Sequence, residues 1–209
     1  MAKKILTSIH GERIGLDVDG NLVVGGKKVT DITAEIGAKN GSSITEEVTD
    51  SGCFRKVKLT CVATPLVLTD DPDVAVYGGV KVYDFPEGLL LFLGGVIDGA
   101  ITAVDVLATF DGDVALGSAT ATTGSTLTGT EDDLLQSTAL TQAIAKVANC
   151  DAVSIATALT ESGARWMDGT TTAKDLFLNF VIDEDAANAT STGEFTGTIE
   201  FIYTILGDN

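Results

Sequence analysis

The sequence predicts an all-β protein built as a β-sandwich, and three observations carry that reading. Threonine is abundant and 23 glycines punctuate the chain, while runs of good helix formers are scarce, a composition that favours strands and turns. Several stretches alternate apolar and polar residues with the period of two that half-buries a strand. About eight to ten such stretches, separated by polar connections, leave room for at most one or two short helices. In a chain of 209 residues this pattern suits a jelly roll better than an immunoglobulin-like domain.

The elements follow in order. Residues 16–18, the turn Asp19-Gly20-Asn21, residues 22–24, the turn Gly25-Gly26 and residues 27–30 read as successive short hairpin strands. Residues 54–68 alternate through Val57, Leu59 and Cys61, and Pro65 then marks an edge or a bulge. Residues 74–83 form two alternating segments around Gly78-Gly79, and the turn Phe85-Pro86-Glu87-Gly88 leads into the apolar run 89–97. That run, apolar at consecutive positions, predicts a strand buried on both faces. Residues 101–108 and 113–121 are further strands, and the Thr/Gly-rich residues 120–130 are a surface strand or loop.

Residues 131–148 are the one helix candidate, capped by Thr130, with acids in the first turn and Leu134, Leu135, Ala139, Ile144 and Val147 near one face. A short helix ending at Ser137-Thr138, with a strand over 139–147, is the alternative. Residues 173–183 alternate with Leu176, Leu178 and Phe180 on one face, and residues 194–206 return with Phe195, Ile199, Phe201, Tyr203 and Ile205. Together they predict a long C-terminal antiparallel hairpin.

Charge divides the chain. Its formal net charge is -17, which argues against nucleic acid or an anionic membrane as a partner. Residues 1–60 hold nine of the 13 bases and eight acids, whereas residues 61–209 hold four bases and 22 acids. Residues 1–52 are accordingly expected to form an N-terminal arm or small β lobe that docks on a neighbour, and residues 53–209 the sandwich body. Lys3, Lys4, His10, Arg13, Lys27 and Lys28 are the docking candidates in that arm. The alternative is that a mixed composition happens to segregate.

Raw material for chemistry is thin. One histidine and three cysteines, Cys53, Cys61 and Cys150, without a C-x-x-C spacing, offer no zinc site and no disulfide framework, and the cysteines read as small buried hydrophobes. Asp17, Asp19 and Asn21 have calcium-loop alternation, but the twelfth position is Lys28 rather than glutamate, so a hairpin turn is the better account. The Asp70-Asp71-x-Asp73 and Asp183-Glu184-Asp185 clusters read as solvated loops. Neither a nucleophile elbow nor a phosphate-binding glycine loop occurs. No enzymatic activity, cofactor or metal is expected. The N-terminus lacks an export signal, and the longest apolar run, stopped by Asp98, is too short for a membrane helix. Trp166, the single tryptophan, reads as a core or rim residue at a strand end, with sugar stacking or a subunit contact as the alternatives.

The succession STALTQAIA at 137–145 and DGTTTAKDLFLNFVIDEDAANATSTGEFTGTIEF at 168–201 resembles virion structural proteins of tailed bacteriophages, of the capsid decoration or cement type. The resemblance rests on the Asp-Gly-Thr-x-Thr-Ala turn, the Leu-Phe-Leu-Asn-Phe strand, the acidic turn after it and the threonine-rich return strand. It implies a β-sandwich homotrimer on the outer surface of an icosahedral head, bound to the major capsid protein and bridging its subunits. A tail- or fibre-associated sandwich that binds a host glycan, with Trp166, Tyr77 and Tyr83 as stacking candidates, is the alternative.

Overall fold

Four short strands open the computed structural model. β1 (Lys4–Ile9), β2 (Glu12–Leu16), β3 (Leu22–Val24) and β4 (Lys27–Lys28) pair in chain order as an antiparallel meander. This sheet belongs to one compact unit, Met1–Gly37, and the rest of the chain, Ala38–Asn209, forms a second. The structure describes residues 4–9, 12–16, 22–24, 27–28, 37–50, 54–71, 75–104, 112–124, 126–144, 147–149, 152–153, 166–183 and 192–207.

The unit boundary at residue 37 corrects the one expected at residue 52. The reason is strand pairing: β6 (Ile44–Asp50) lies antiparallel to β7 (Phe54–Leu66), from Ile44 opposite Cys61 to Asp50 opposite Arg55. With the boundary moved, residues 1–37 hold five bases and five acids, and residues 38–209 hold 8 bases and 25 acids. Lys39 therefore joins Arg55, Lys56 and Lys58 in the body.

The body is an all-β sandwich. Its larger sheet has the order β13 (Thr141–Ile144), β14 (Val147–Asn149), β10 (Leu89–Val104), β18 (Thr192–Gly207), β7, β6, and β15 (Ala152–Val153) and β16 (Trp166–Asp168) also pair with β10. Its smaller sheet has the order β12 (Leu135–Ala139), β11 (Gly112–Gly117), β17 (Asp175–Asp183), β9 (Ala75–Asp84), β5 (Ala38–Lys39), with β8 (Thr69–Asp71) also on β9. Every pairing is antiparallel, from the long β10–β18 ladder to the short edge pairs. Inward residues of both sheets make one core, including Val57, Leu59, Leu90, Phe92, Leu176, Leu178, Phe180, Ile199 and Phe201. Tyr83 of the smaller sheet meets Phe201 of the larger edge to face at 5.1 Å, and Phe85 meets Tyr203 at 5.3 Å, a geometry that adds to the burial of such rings.

Three expectations are corrected. No α-helix occurs among the described residues; the helix candidate begins with a 3-10 turn, Gly129–Glu131, and continues as β12, β13 and β14. An isolated helix of that length is marginal, whereas the strand completes the edge of β11 and buries Leu134, Leu135 and Leu140. β17 and β18 do not form a hairpin with each other. They lie in different sheets, β17 between β11 and β9 and β18 between β10 and β7, because each has a full apolar face that the core takes from opposite sides. Finally, β10 is buried on one face only among the described residues, with Leu90, Phe92 and Ile97 inside and Val96 exposed.

Pro65 lies within β7, and the ladder to β18 shifts register between Phe195 and Gly197. The bulge sits at Ala63, whose φ is 47°, two residues before the proline that marks it in the sequence.

Candidate interaction surface

The two outer faces of the sandwich differ in what covers them. On the smaller sheet the residues after β11 fold back over the strands. Ala121 and Leu127 pack on Ala115 and Val181, with Tyr77 against them. Asn179, fully buried on β17, holds this segment: its Oδ1 accepts the Ala121 N–H at 3.0 Å, and its Nδ2 donates to the carbonyls of Ala119 and Glu131, both at 2.7 Å. The Glu131 carboxylate accepts the N–H and the hydroxyl of Thr122 at 2.8 Å and the N–H of Thr128 at 3.3 Å. Asp133 accepts the N–H and the hydroxyl of Ser118 at 2.8 and 2.6 Å, and burial pushes its carboxyl up to about 6 despite those bonds. Gly79 faces Asn179 in register, and a Cβ there would stand 2.2 Å from Asn179 Oδ1 and 2.5 Å from Thr120 Oγ1. A side chain at 79 would push the segment off the sheet.

On the larger sheet no described residue of the body forms a layer over the outer face. Paired residues of neighbouring antiparallel strands point to the same side, so the registers arrange that face in rows. Thr45, Thr60, Thr198 and Asp98 form one row across β6, β7, β18 and β10. Glu47, Lys58, Glu200 and Val96 form the next, followed by Thr49, Lys56 and Ile202. The end row is Phe54, Thr204, Leu91 and Trp166, on β7, β18, β10 and β16. Within it Phe54 is 48% exposed and Trp166 55%. Ile202, Val96 and Leu206 are exposed beside it. Lys56 reaches Glu200 at 2.5 Å and Lys58 at 3.6 Å, and the hydrogen bond from Lys56 holds the Glu200 carboxyl below the usual carboxylate range.

The apolar run on β10 now has a physical account. Leu90, Phe92 and Ile97 enter the core, while Leu91 and Val96 point the other way, to a face with no layer above it among the described residues. Apolar residues at both parities are read in sequence as burial on both sides; here the second side is uncovered among the described residues. A cluster of exposed large apolar groups spanning four strands is the mark of a contact surface.

The sequence-predicted candidates fall as follows. Trp166 is at the rim, on a short strand and exposed. Lys4, Arg13, Lys27 and Lys28 lie on strands of the N-terminal meander, and Lys3 and His10 lie outside the described residues, as do Cys53, Cys150, the aspartate-rich turn at 17–21 and Asp73, Glu184 and Asp185 of the acidic clusters, whereas Asp70 and Asp71 end β8 and Asp183 ends β17. Cys61 is buried, and burial raises its thiol to about 11. The three aromatic residues proposed for sugar stacking are not on one face: Tyr83 is fully buried, Tyr77 packs on the smaller sheet, and Trp166 is on the larger. Among the described residues no group of three or more His, Cys, Asp or Glu side chains is placed to hold a metal ion. No family model, curated protein or solved structure matches the chain. Phe54, Leu91, Ile202 and Leu206 were not among the sequence-predicted site residues, and the signal for them was the excess of apolar positions beyond one per two residues on β10 together with apolar residues on the outward parity of β18.

Proposed function

We propose that this protein is a non-enzymatic structural protein of a phage virion, of the capsid-decoration type, that assembles as a homotrimer and binds the major capsid protein on the outside of the head. The observation that carries this reading is the apolar row of exposed Phe54, Trp166 and Ile202 on the outer face of the larger sheet, uncovered among the described residues of an otherwise strongly acidic body. Such a surface suits contact with protein rather than with a small substrate. The strand order supports it further. Taking β7, β9, β10, β11, β12, β14, β17 and β18 as eight strands in chain order, the larger sheet runs first, eighth, third, sixth and the smaller runs second, seventh, fourth, fifth. We read this order as a jelly roll, an architecture used by viral capsid and lectin domains alike.

The test is to mix the purified chain with heads that lack it, taken from a phage whose genome encodes it, and to measure bound protein per head. Saturation at a fixed ratio, with heads more resistant to heat or chelator, is the expected result. Absence of saturable binding overturns the reading and moves the weight to a glycan-binding tail protein, to be examined on host polysaccharide.

A further inference from the structure

We propose that a second copy of this chain covers the apolar end row of the larger sheet, so that Phe54, Leu91, Trp166 and Ile202 form a self-association surface. The inference rests on the oligomer invoked above, though not on the capsid.

The first argument is electrostatic. Residues 38–209 hold 25 acids and 8 bases, so two bodies repel over most of their surface. The end row carries no charged side chain, and in the two rows beside it Lys56 and Lys58 balance Glu47 and Glu200. The apolar end and these two rows thus oppose no net charge to a second acidic body, and the nearest unbalanced acids on this face are Asp98 in the threonine row and Asp168 two residues beyond Trp166. The second argument is size. Strands about 4.8 Å apart with a rise of about 3.4 Å per residue give the apolar end roughly 20 by 20 Å. Extended across five strands to the threonine row, the face reaches on the order of 700 Å², close to the roughly 800 Å² per partner of a specific interface. The third is composition: an exposed tryptophan and phenylalanine ringed by aliphatic groups is what the centre of a protein interface contains. Copies related by a cyclic axis beside the end row would each contribute their own Phe54 and Trp166.

Trp166 is the only tryptophan, so the protein reports on its own assembly. Light scattering and sedimentation of the full chain from about 1 to 100 µM are expected to show a multiple of 21.5 kDa, with Trp166 emission shifted to the blue and protected from acrylamide as the mass rises. The double variant F54E/W166E is expected to need at least a tenfold higher concentration to assemble, on the order set by losing two interface anchors. Val67→Glu, exposed past the end of β7 and seven residues beyond Thr60, is expected to assemble as the parent does. Because a double variant can misfold, its far-ultraviolet circular dichroism is compared with the parent, and Trp166 quenching in the parent stands as the independent readout. A parent that stays monomeric at 100 µM, a double variant with parental mass, or assembly that leaves Trp166 equally open to acrylamide each overturns the proposal. A monomer that still saturates heads would overturn this inference alone, and an assembly through this face that ignores heads would overturn only the decoration reading.

Discussion

Asn179 and Glu131 hold each other's chain in place: the Asn179 amide donates to the Glu131 carbonyl at 2.7 Å, while the Glu131 carboxylate gathers Thr122 and Thr128 around it. One residue anchors the covering segment to β17, and the other folds that segment on itself. The smaller sheet thereby closes its outer face with its own chain.

Replacing Asn179 by alanine leaves a buried N–H and two carbonyls without this partner. The expected loss is about 2–4 kcal/mol, because each buried group left unsatisfied costs on the order of 1–3 kcal/mol. Asn179→Asp is expected to be at least as damaging, since a carboxylate would face the carbonyls of Ala119 and Glu131. Urea denaturation measures both. Hydrogen exchange is expected to rise first at Ala121 and Thr122, and uniform exchange across the molecule would show that the segment is not held locally.

Asp133 makes stability depend on pH. Its carboxyl is raised from 3.8 to about 6, chiefly by burial. A raised carboxyl binds its proton more tightly in the folded state than in the unfolded one, so its contribution to stability is fully present below about 3.8 and lost as pH rises through about 6. The unfolding free energy of Asp133→Asn is therefore expected to gain on that of the parent between pH 5 and 7.5, by an amount on the order of 1–2 kcal/mol, read from urea denaturation at each pH. Parallel pH profiles for the two proteins would mean that Asp133 titrates normally in the fold.

Phe201 is the hub of the aromatic core, within 6.2 Å of Tyr83, Phe85, Phe92 and Tyr203. Phe201→Ala is expected to cost about 3–5 kcal/mol, and Phe201→Leu clearly less, as the cavity shrinks. The Tyr83 and Tyr203 hydroxyls stand 3.4 Å apart, longer than a good O–H···O bond, so Tyr83→Phe is expected to change stability by less than about 1 kcal/mol. Equal losses for Phe201→Leu and Phe201→Ala would show that ring contacts rather than filled volume dominate.

Much of the fold was legible because alternation survives in the sequence. Leu176, Leu178 and Phe180, and Phe195, Ile199 and Phe201, face the core as their spacing indicates. What alternation cannot carry is the partner of a strand: β17 and β18 follow one another and alternate alike, yet lie in different sheets. Residues 131–148 misled for a related reason, since their helical spacing is decided by the vacant edge of β11, which lies elsewhere in the chain. The docking face was half legible. Trp166 stood out as the lone indole, but Phe54 and Ile202 become neighbours of it only through the β7, β18, β10 and β16 registers. Lys39 illustrates the same limit, for it falls within the expected arm of residues 1–52 but belongs to the body through the pairing of β5 with β9.

Salt separates the two ways in which an acidic body finds a partner. If copies associate through a charge-balanced apolar row, the force opposing them is the repulsion between surplus carboxylates spread over the rest of each body. Screening shortens from about 10 Å at 0.1 M to about 3 Å at 1 M, so added sodium chloride weakens that repulsion and leaves the apolar contact in place. The concentration needed for half assembly is therefore expected to fall as salt rises from about 0.05 to 0.5 M, with protection of Trp166 from acrylamide increasing in step. A surface held by ion pairs across the interface behaves in the opposite sense. Assembly that weakens with salt would mean that Lys56 and Lys58 reach carboxylates of the neighbour instead of resting on Glu200, and Glu200→Gln would then strengthen it by freeing both lysines.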